Sequence, residues 1–147
     1  MSKAEPPRWW NYCRRAVGVG VCIALFALPV TSLCVDQPEF RVAPVMRSIT
    51  TGLGLGFVCF GLFVTLVNLH LLIVRPLLYR RRHGSYEGMR NISCFPVIGT
   101  FAAVMGTFFG IGHWPTAVLG LLVLTLDLGG HPWFVIATWH DRGFWDE

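Results

Sequence analysis

Residues 48–74 read SITTGLGLGFVCFGLFVTLVNLHLLIV, a run without Asp, Glu, Lys or Arg. A helix needs about 20 predominantly apolar residues to cross roughly 30 Å of hydrocarbon, so this stretch is long enough for one membrane span. Two further uncharged runs flank it. Residues 16–35 supply a second span, and residues 91–126, extended past Asp127 to Trp139, have the length for two more. The whole chain has the same character. Of its 147 residues 54% are hydrophobic and 14% charged, and the mean hydropathy is +0.56; soluble domains carry about 25% charged residues. The expected fold class is an all-α membrane protein, a bundle of four transmembrane helices at about 16–35, 48–74, 93–111 and 115–139. A segment at 1–15 and a tail at 140–147 complete it, and no soluble domain remains.

Cytoplasmic loops collect Lys and Arg. The N-terminal segment holds Lys3, Arg8, Arg14 and Arg15, and the connection after the second span holds Arg75, Arg80, Arg81, Arg82 and Arg90. The first outer loop balances Arg41 and Arg47 against Asp36 and Glu39, and the turn Gly112–Pro115 has no Lys or Arg. Both termini are therefore expected in the cytoplasm. Trp9, Trp10, Tyr12, Trp114, Trp139, Phe144 and Trp145 fall at span ends, where the headgroup layer suits amphipathic rings; His70 is read as interfacial too. Arg75-Pro76 is expected to end the second span, because a prolyl ring interrupts the helical ladder. Arg75, Arg80, Arg81 and Arg82 should then lie against anionic lipid headgroups. Lipid thus accounts for a pI near 9.0 without nucleic acid.

The first span resembles a signal peptide, with its basic lead and the Thr31-Ser32-Leu33-Cys34 sequence, but Leu33 is bulky where a small residue is needed, and the span is read as a retained helix. Cys13, Cys22, Cys34, Cys59 and Cys94 show neither CxxC spacing nor metal-type clustering, and are read as small apolar residues. No metal or cofactor is expected.

Asp127 is the residue that most needs an explanation. Twelve residues, about 18 Å, separate it from the start of the fourth span, which places it near mid-membrane. An ionisable group at that depth costs about 2.5–3.5 kcal/mol, so it should face the bundle interior and find partners. Thr65, Asn68 and Thr100 reach similar depths. The following Leu128-Gly129-Gly130-His131-Pro132 should break the fourth helix at Gly129–Pro132, with His131 as N-cap. Asp127 and His131 are then either a polar packing cluster or a ligand, ion or partner site; broken helices build both. Gly52 and Gly56 form a GxxxG, and Gly99 and Gly106 lie on a second small-residue stripe; both stripes are candidates for helix packing, or for a homodimer face. His113 and Trp114, in the outer turn, are candidate partner contacts.

No GxSxG, HExxH, P-loop or dinucleotide fingerprint appears, and one intramembrane carboxylate is too little for acid–base catalysis, so an enzyme is not expected. Phe95-Pro96-Val97-Ile98-Gly99, Met105-Gly106 and Leu126-Asp127-Leu128-Gly129-Gly130-His131-Pro132 resemble small bacterial inner-membrane proteins of toxin–immunity loci, over about a quarter of the chain. That resemblance implies a multi-pass inner-membrane protein that binds and neutralises a membrane-targeting toxin, such as one delivered by type VI secretion. It assigns no binding residues. The competing expectations are an oligomeric ion channel or small transporter with Asp127 at its midplane, and an accessory subunit of a larger membrane complex.

Overall fold

The structure, a computed structural model, describes residues 8–35, 44–89, 95 and 97–139. Lys3, Asp36, Glu39, Arg41, Arg90, Cys94, Phe144 and Trp145 lie outside the described residues, and so do the expectations placed on them. Helix α1 runs Arg8–Cys34, α2 Pro44–Leu69, α3 Arg75–His83, α4 Ile98–Phe109, α5 Trp114–Leu126 and α6 His131–Thr138. No strand occurs among the described residues.

Three of these segments are long and apolar enough to cross a membrane: Tyr12–Cys34, Val45–His83, and Trp114–Thr138 taken through its break. Helix α4 is apolar but shorter, 12 residues, or about 18 Å. The first helix begins well inside the expected N-terminal segment, at Arg8.

The second span does not end at Pro76. Residues His70–Val74 widen into a π-helical turn in which Arg75 N–H reaches back five residues to His70 O, and the helix then continues as α3. A prolyl ring in a regular helix collides with the carbonyl four residues earlier and leaves it unbonded. The wider turn makes room for that ring. The helix stops instead at Gly84, whose left-handed backbone (φ 77°) gives its N–H to Arg80 O, the usual device for ending a helix.

The packing follows a spacing of four and three residues. On α2 the buried seam is Gly54, Val58, Gly61, Thr65 and Asn68; along α4 it is Gly99, Ala103, Gly106 and Gly110; along α5 it is Thr116, Gly120, Val123 and Asp127. This heptad spacing suits left-handed packing of long antiparallel helices. Val58, Ala103, Val123 and Leu124 form the apolar centre, with Phe26, Leu62 and Leu119 packed against it. Glycines set the separation of α2 and α4. A Cβ on Gly54 would stand 2.8 Å from Gly106 O and 2.9 Å from Gly110 N, and one on Gly61 3.2 Å from Gly99 O.

Helix α1 lies on α5, and its contacts fix the chain directions. Ser32 Oγ, near its C-terminus, accepts from Gly112 N–H in the α4–α5 turn at 3.0 Å. At its other end the Arg15 guanidinium sits over the Trp139 ring, 5.7 Å from the centroid. Arg14, Arg15, Trp139 and the arginines of α3 therefore share one end of an antiparallel bundle, and the Gly110–Trp114 turn marks the other.

The distribution of side chains is inverted relative to a water-soluble bundle. Thr65, Asn68, Thr100, Thr107, Thr116 and Asp127 are buried, whereas Phe60, Phe63, Leu66, Phe101, Phe108 and Ile136 are exposed. Such an apolar exterior is covered by lipid, and close packing of small residues is what holds helices together there. Gly54→Ala and Gly106→Ala should each lower stability by about 1–3 kcal/mol, as overpacking does. Gly56→Ala, where nothing lies within 4 Å of the new Cβ, should be neutral or stabilising by up to about 1 kcal/mol. Thermal unfolding in detergent micelles measures both.

Candidate functional site

Asp127 ends α5. Its N–H still reaches Val123 O, but its ψ of 85° turns the chain out of the helix, and Gly130 N–H closes the turn on Asp127 O at 2.8 Å. The break thus begins two residues before the expected Gly129. It also ends differently: Gly130, not His131, is the N-cap of α6, in extended conformation (φ −80°, ψ 166°), with His131 and Pro132 as its first two residues. Glycine suits that position, since a Cβ at Gly130 would collide with Thr100 Oγ1.

The Asp127 side chain is wholly buried. Oδ1 accepts from Asn68 Nδ2 at 3.0 Å, and Oδ2 accepts from Thr100 N–H at 3.0 Å and from Thr100 Oγ1 at 3.3 Å. Thr100 is the third residue of α4, whose own N-cap, Val97, supplies no side-chain hydrogen bond. The first N–H groups of a helix have no partner within it and carry the positive end of its dipole. Asp127 therefore caps α4 from the far end of α5. Gly99 makes this approach possible: a Cβ there would stand 2.6 Å from Asp127 Oδ2.

Asn68 completes the arrangement from α2. Its Nδ2 also donates to Phe95 O at 3.0 Å, and its Oδ1 accepts Phe95 N–H at 2.9 Å, so one amide pairs both ways with the backbone of a single residue. Val97 N–H reaches Gly129 O at 3.3 Å. These bonds hold Val97 in the left-handed region (φ 68°), a costly conformation for a β-branched residue. Thr65 Oγ1 is buried beside the carboxylate with no hydrogen-bond partner.

Asp127, Asn68, Thr65 and Thr100 are thus brought together. His131 is not with them; its Nε2 lies 3.3 Å from Gly18 O on α1. The cluster is off-centre along the helix axis as well. Asn68 lies seven residues from Arg75, about 10 Å, and 21 residues from Arg47, about 31 Å.

At the other end His113 Nδ1 lies 3.2 Å from Thr116 Oγ1, which donates to Gly110 O and His113 O, while Trp114 is exposed. Gly99 and Gly106 pack within the bundle, but Gly52 and Gly56 do not: they face outward with open space around them. The α2 glycines that do pack, Gly54 and Gly61, escaped the motif reading because they are seven apart, and the seam spacing with Asn68 was the signal for them. Arg75 is half-buried, and Arg80, Arg81 and Arg82 are exposed on α3, with Arg80 5.6 Å from the Tyr86 ring centroid.

The chemistry available to the cluster is positional. Its carboxylate receives three hydrogens from two other helices and exposes no atom. Three helices long enough to span, small-residue seams, an apolar exterior and a buried polar latch define a helical membrane protein. Comparison with protein-family models, curated proteins and solved structures finds no match to this chain.

Two substitutions separate the bonded from the unbonded member of the cluster. Asp127→Ala should destabilise by about 2–4 kcal/mol, because Asn68 and the α4 N-terminus lose their acceptor. Thr65→Val removes a hydroxyl without a partner and should stabilise by up to about 1 kcal/mol. Denaturant unfolding in micelles checks both; destabilisation by Thr65→Val would show that the hydroxyl has a bound partner.

Proposed function

We propose that this chain is a four-pass bacterial inner-membrane binding protein, with both termini in the cytoplasm, that holds a helix of another protein against the outward face of α2. The partner is a membrane-inserting toxin, and binding neutralises it. The observation that carries the reading is the open Gly52–Gly56 face. Ile49, Leu53, Phe57 and Phe60 line it with those glycines to form an apolar groove of about 460 Å³. The fold does not use these two glycines, yet small residues on a lipid-facing helix let a second helix approach closely. The basic residues at one end of the bundle support the orientation, and the antiparallel α4–α5 pair supports an even number of passes.

The alternative is an oligomeric channel or small transporter working through Asp127. The unpartnered Thr65 hydroxyl beside the carboxylate favours it. Against it, the carboxylate is already occupied by three donors that hold the bundle together.

Co-expression with each neighbouring open reading frame tests the two readings. A depolarising neighbour should be neutralised by the wild-type chain, but not by the Gly52→Ile/Gly56→Ile double variant at equal abundance in the membrane. If no neighbour is toxic, or if the double variant protects as well as wild type, this binding reading fails. Ion flux through liposomes that disappears with Asp127→Asn would establish the alternative.

A further inference from the structure

Thr65 Oγ1 is the polar atom that the Asp127 cluster leaves unused. It is fully enclosed and has no hydrogen-bond partner. Yet it points into the cluster, because the position of a Cβ on Gly99 lies 3.0 Å from Thr65 Oγ1 and 2.6 Å from Asp127 Oδ2. Two oxygens from different helices therefore converge on one side of Gly99 without bonding to each other. The carboxylate is incompletely used as well. Its two oxygens offer about four lone-pair positions, and Asn68 Nδ2, Thr100 N–H and Thr100 Oγ1 fill three. These three donors are neutral and stand back at 3.0, 3.0 and 3.3 Å, whereas hydrogen bonds to an ionised oxygen close to about 2.5–2.9 Å. The Thr100 hydroxyl, at the longest of these distances, is the most loosely held. Oδ2 thus stands between two hydroxyl oxygens, Thr65 Oγ1 on the Gly99 side and Thr100 Oγ1 on the Gly130 side.

We propose that the cluster binds one small monovalent cation, sodium, held by Asp127 Oδ2 and the hydroxyl oxygens of Thr65 and Thr100. Each helix of the packed trio, α2, α4 and α5, then supplies one oxygen. The donor set fits, since hard cations take oxygen ligands and carboxylates above all. One carboxylate balances one positive charge, which selects a monovalent ion over a divalent one where excess charge is costly. The break at Asp127 also brings the C-terminal end of α5, the negative pole of its dipole, to the same place. Discontinuous helices elsewhere hold sodium at such ends. Bound here, the ion neutralises the carboxylate where water cannot, and gives the Thr65 hydroxyl a partner. It is a resident part of the fold and need not move. Its test therefore measures neither toxicity nor flux, and is independent of both readings above.

Thermal unfolding of the full chain in micelles, in sodium chloride or choline chloride at equal concentration, reads the ion directly. A ligand that binds only the folded chain raises the midpoint by mass action. Sodium at about tenfold its Kd should raise the wild-type midpoint by about 3–6 °C over choline. Thr65→Val should lose most of that shift, and Thr65→Ser, which keeps the hydroxyl, should retain it. In choline Thr65→Val should melt above the wild type, as a hydroxyl without a partner requires, and sodium should close or reverse that gap. Asp127→Asn should lose the shift altogether; where that variant does not fold, the Thr65 pair decides alone. Equal midpoints of the wild-type chain in the two salts, or a sodium shift as large in Thr65→Val as in Thr65→Ser, overturns the site.

Discussion

Asp127 joins three helices that are otherwise held mainly by close contact of small side chains. Its two oxygens receive the Asn68 amide from α2 and the N–H and hydroxyl of Thr100 in the first turn of α4, while its own backbone ends α5. In a medium without water, none of these groups has another way to be satisfied. The strained Val97, the pairing of Phe95 with Asn68 and the glycines at 99 and 130 all accompany the approach of that carboxylate to a helix N-terminus. Glycine is required at both positions because the oxygens of Asp127 and Thr100 occupy the space that a side chain would fill.

The seams explain why so few large residues are buried. Dispersion between helices in lipid gains little from bulk, because lipid tails are as apolar as leucine; it gains from proximity. Gly54 against Gly106 and Gly110, and Gly61 against Gly99, bring α2 and α4 backbone to backbone. The phenylalanines and leucines are left on the outside, where they meet acyl chains at no cost. α1 follows a different rule. It buries Gly18, Pro29 and Ser32 but exposes most of its length, and it is attached by Phe26 against the apolar centre together with contacts toward its two ends.

Much of this was legible in the sequence, and the exceptions are instructive. Uncharged runs located the helices because lipid penalises charge wherever it occurs. Asp127 announced a polar cluster for the same reason, and Asn68, Thr65 and Thr100 were readable as its neighbours from their depth. The Pro76 ending was misread because a proline rule assumes a regular helix upstream, and a π-turn removes the collision. Gly52–Gly56 drew attention as a motif, although packing within the bundle uses the seven-residue spacing of Gly54, Gly61 and Asn68. His131 was placed with Asp127 by adjacency; the turn between them points it instead at α1. The capping role of Asp127 was not readable, because it depends on where the N-terminus of α4 falls relative to the end of α5.

The π-turn at His70–Val74 also acts as a phase break. Adding one residue to a turn rotates everything beyond it by roughly 100° about the helix axis. The seam that runs through Gly54, Gly61 and Asn68 therefore cannot continue into α3, and no residue of α3 is buried. The arginine-bearing extension is uncoupled from the packing register above it. Residues can be inserted into or lost from α3 without forcing a single seam contact out of alignment, so the basic end of this helix is free to vary in length and direction while the bundle stays the same.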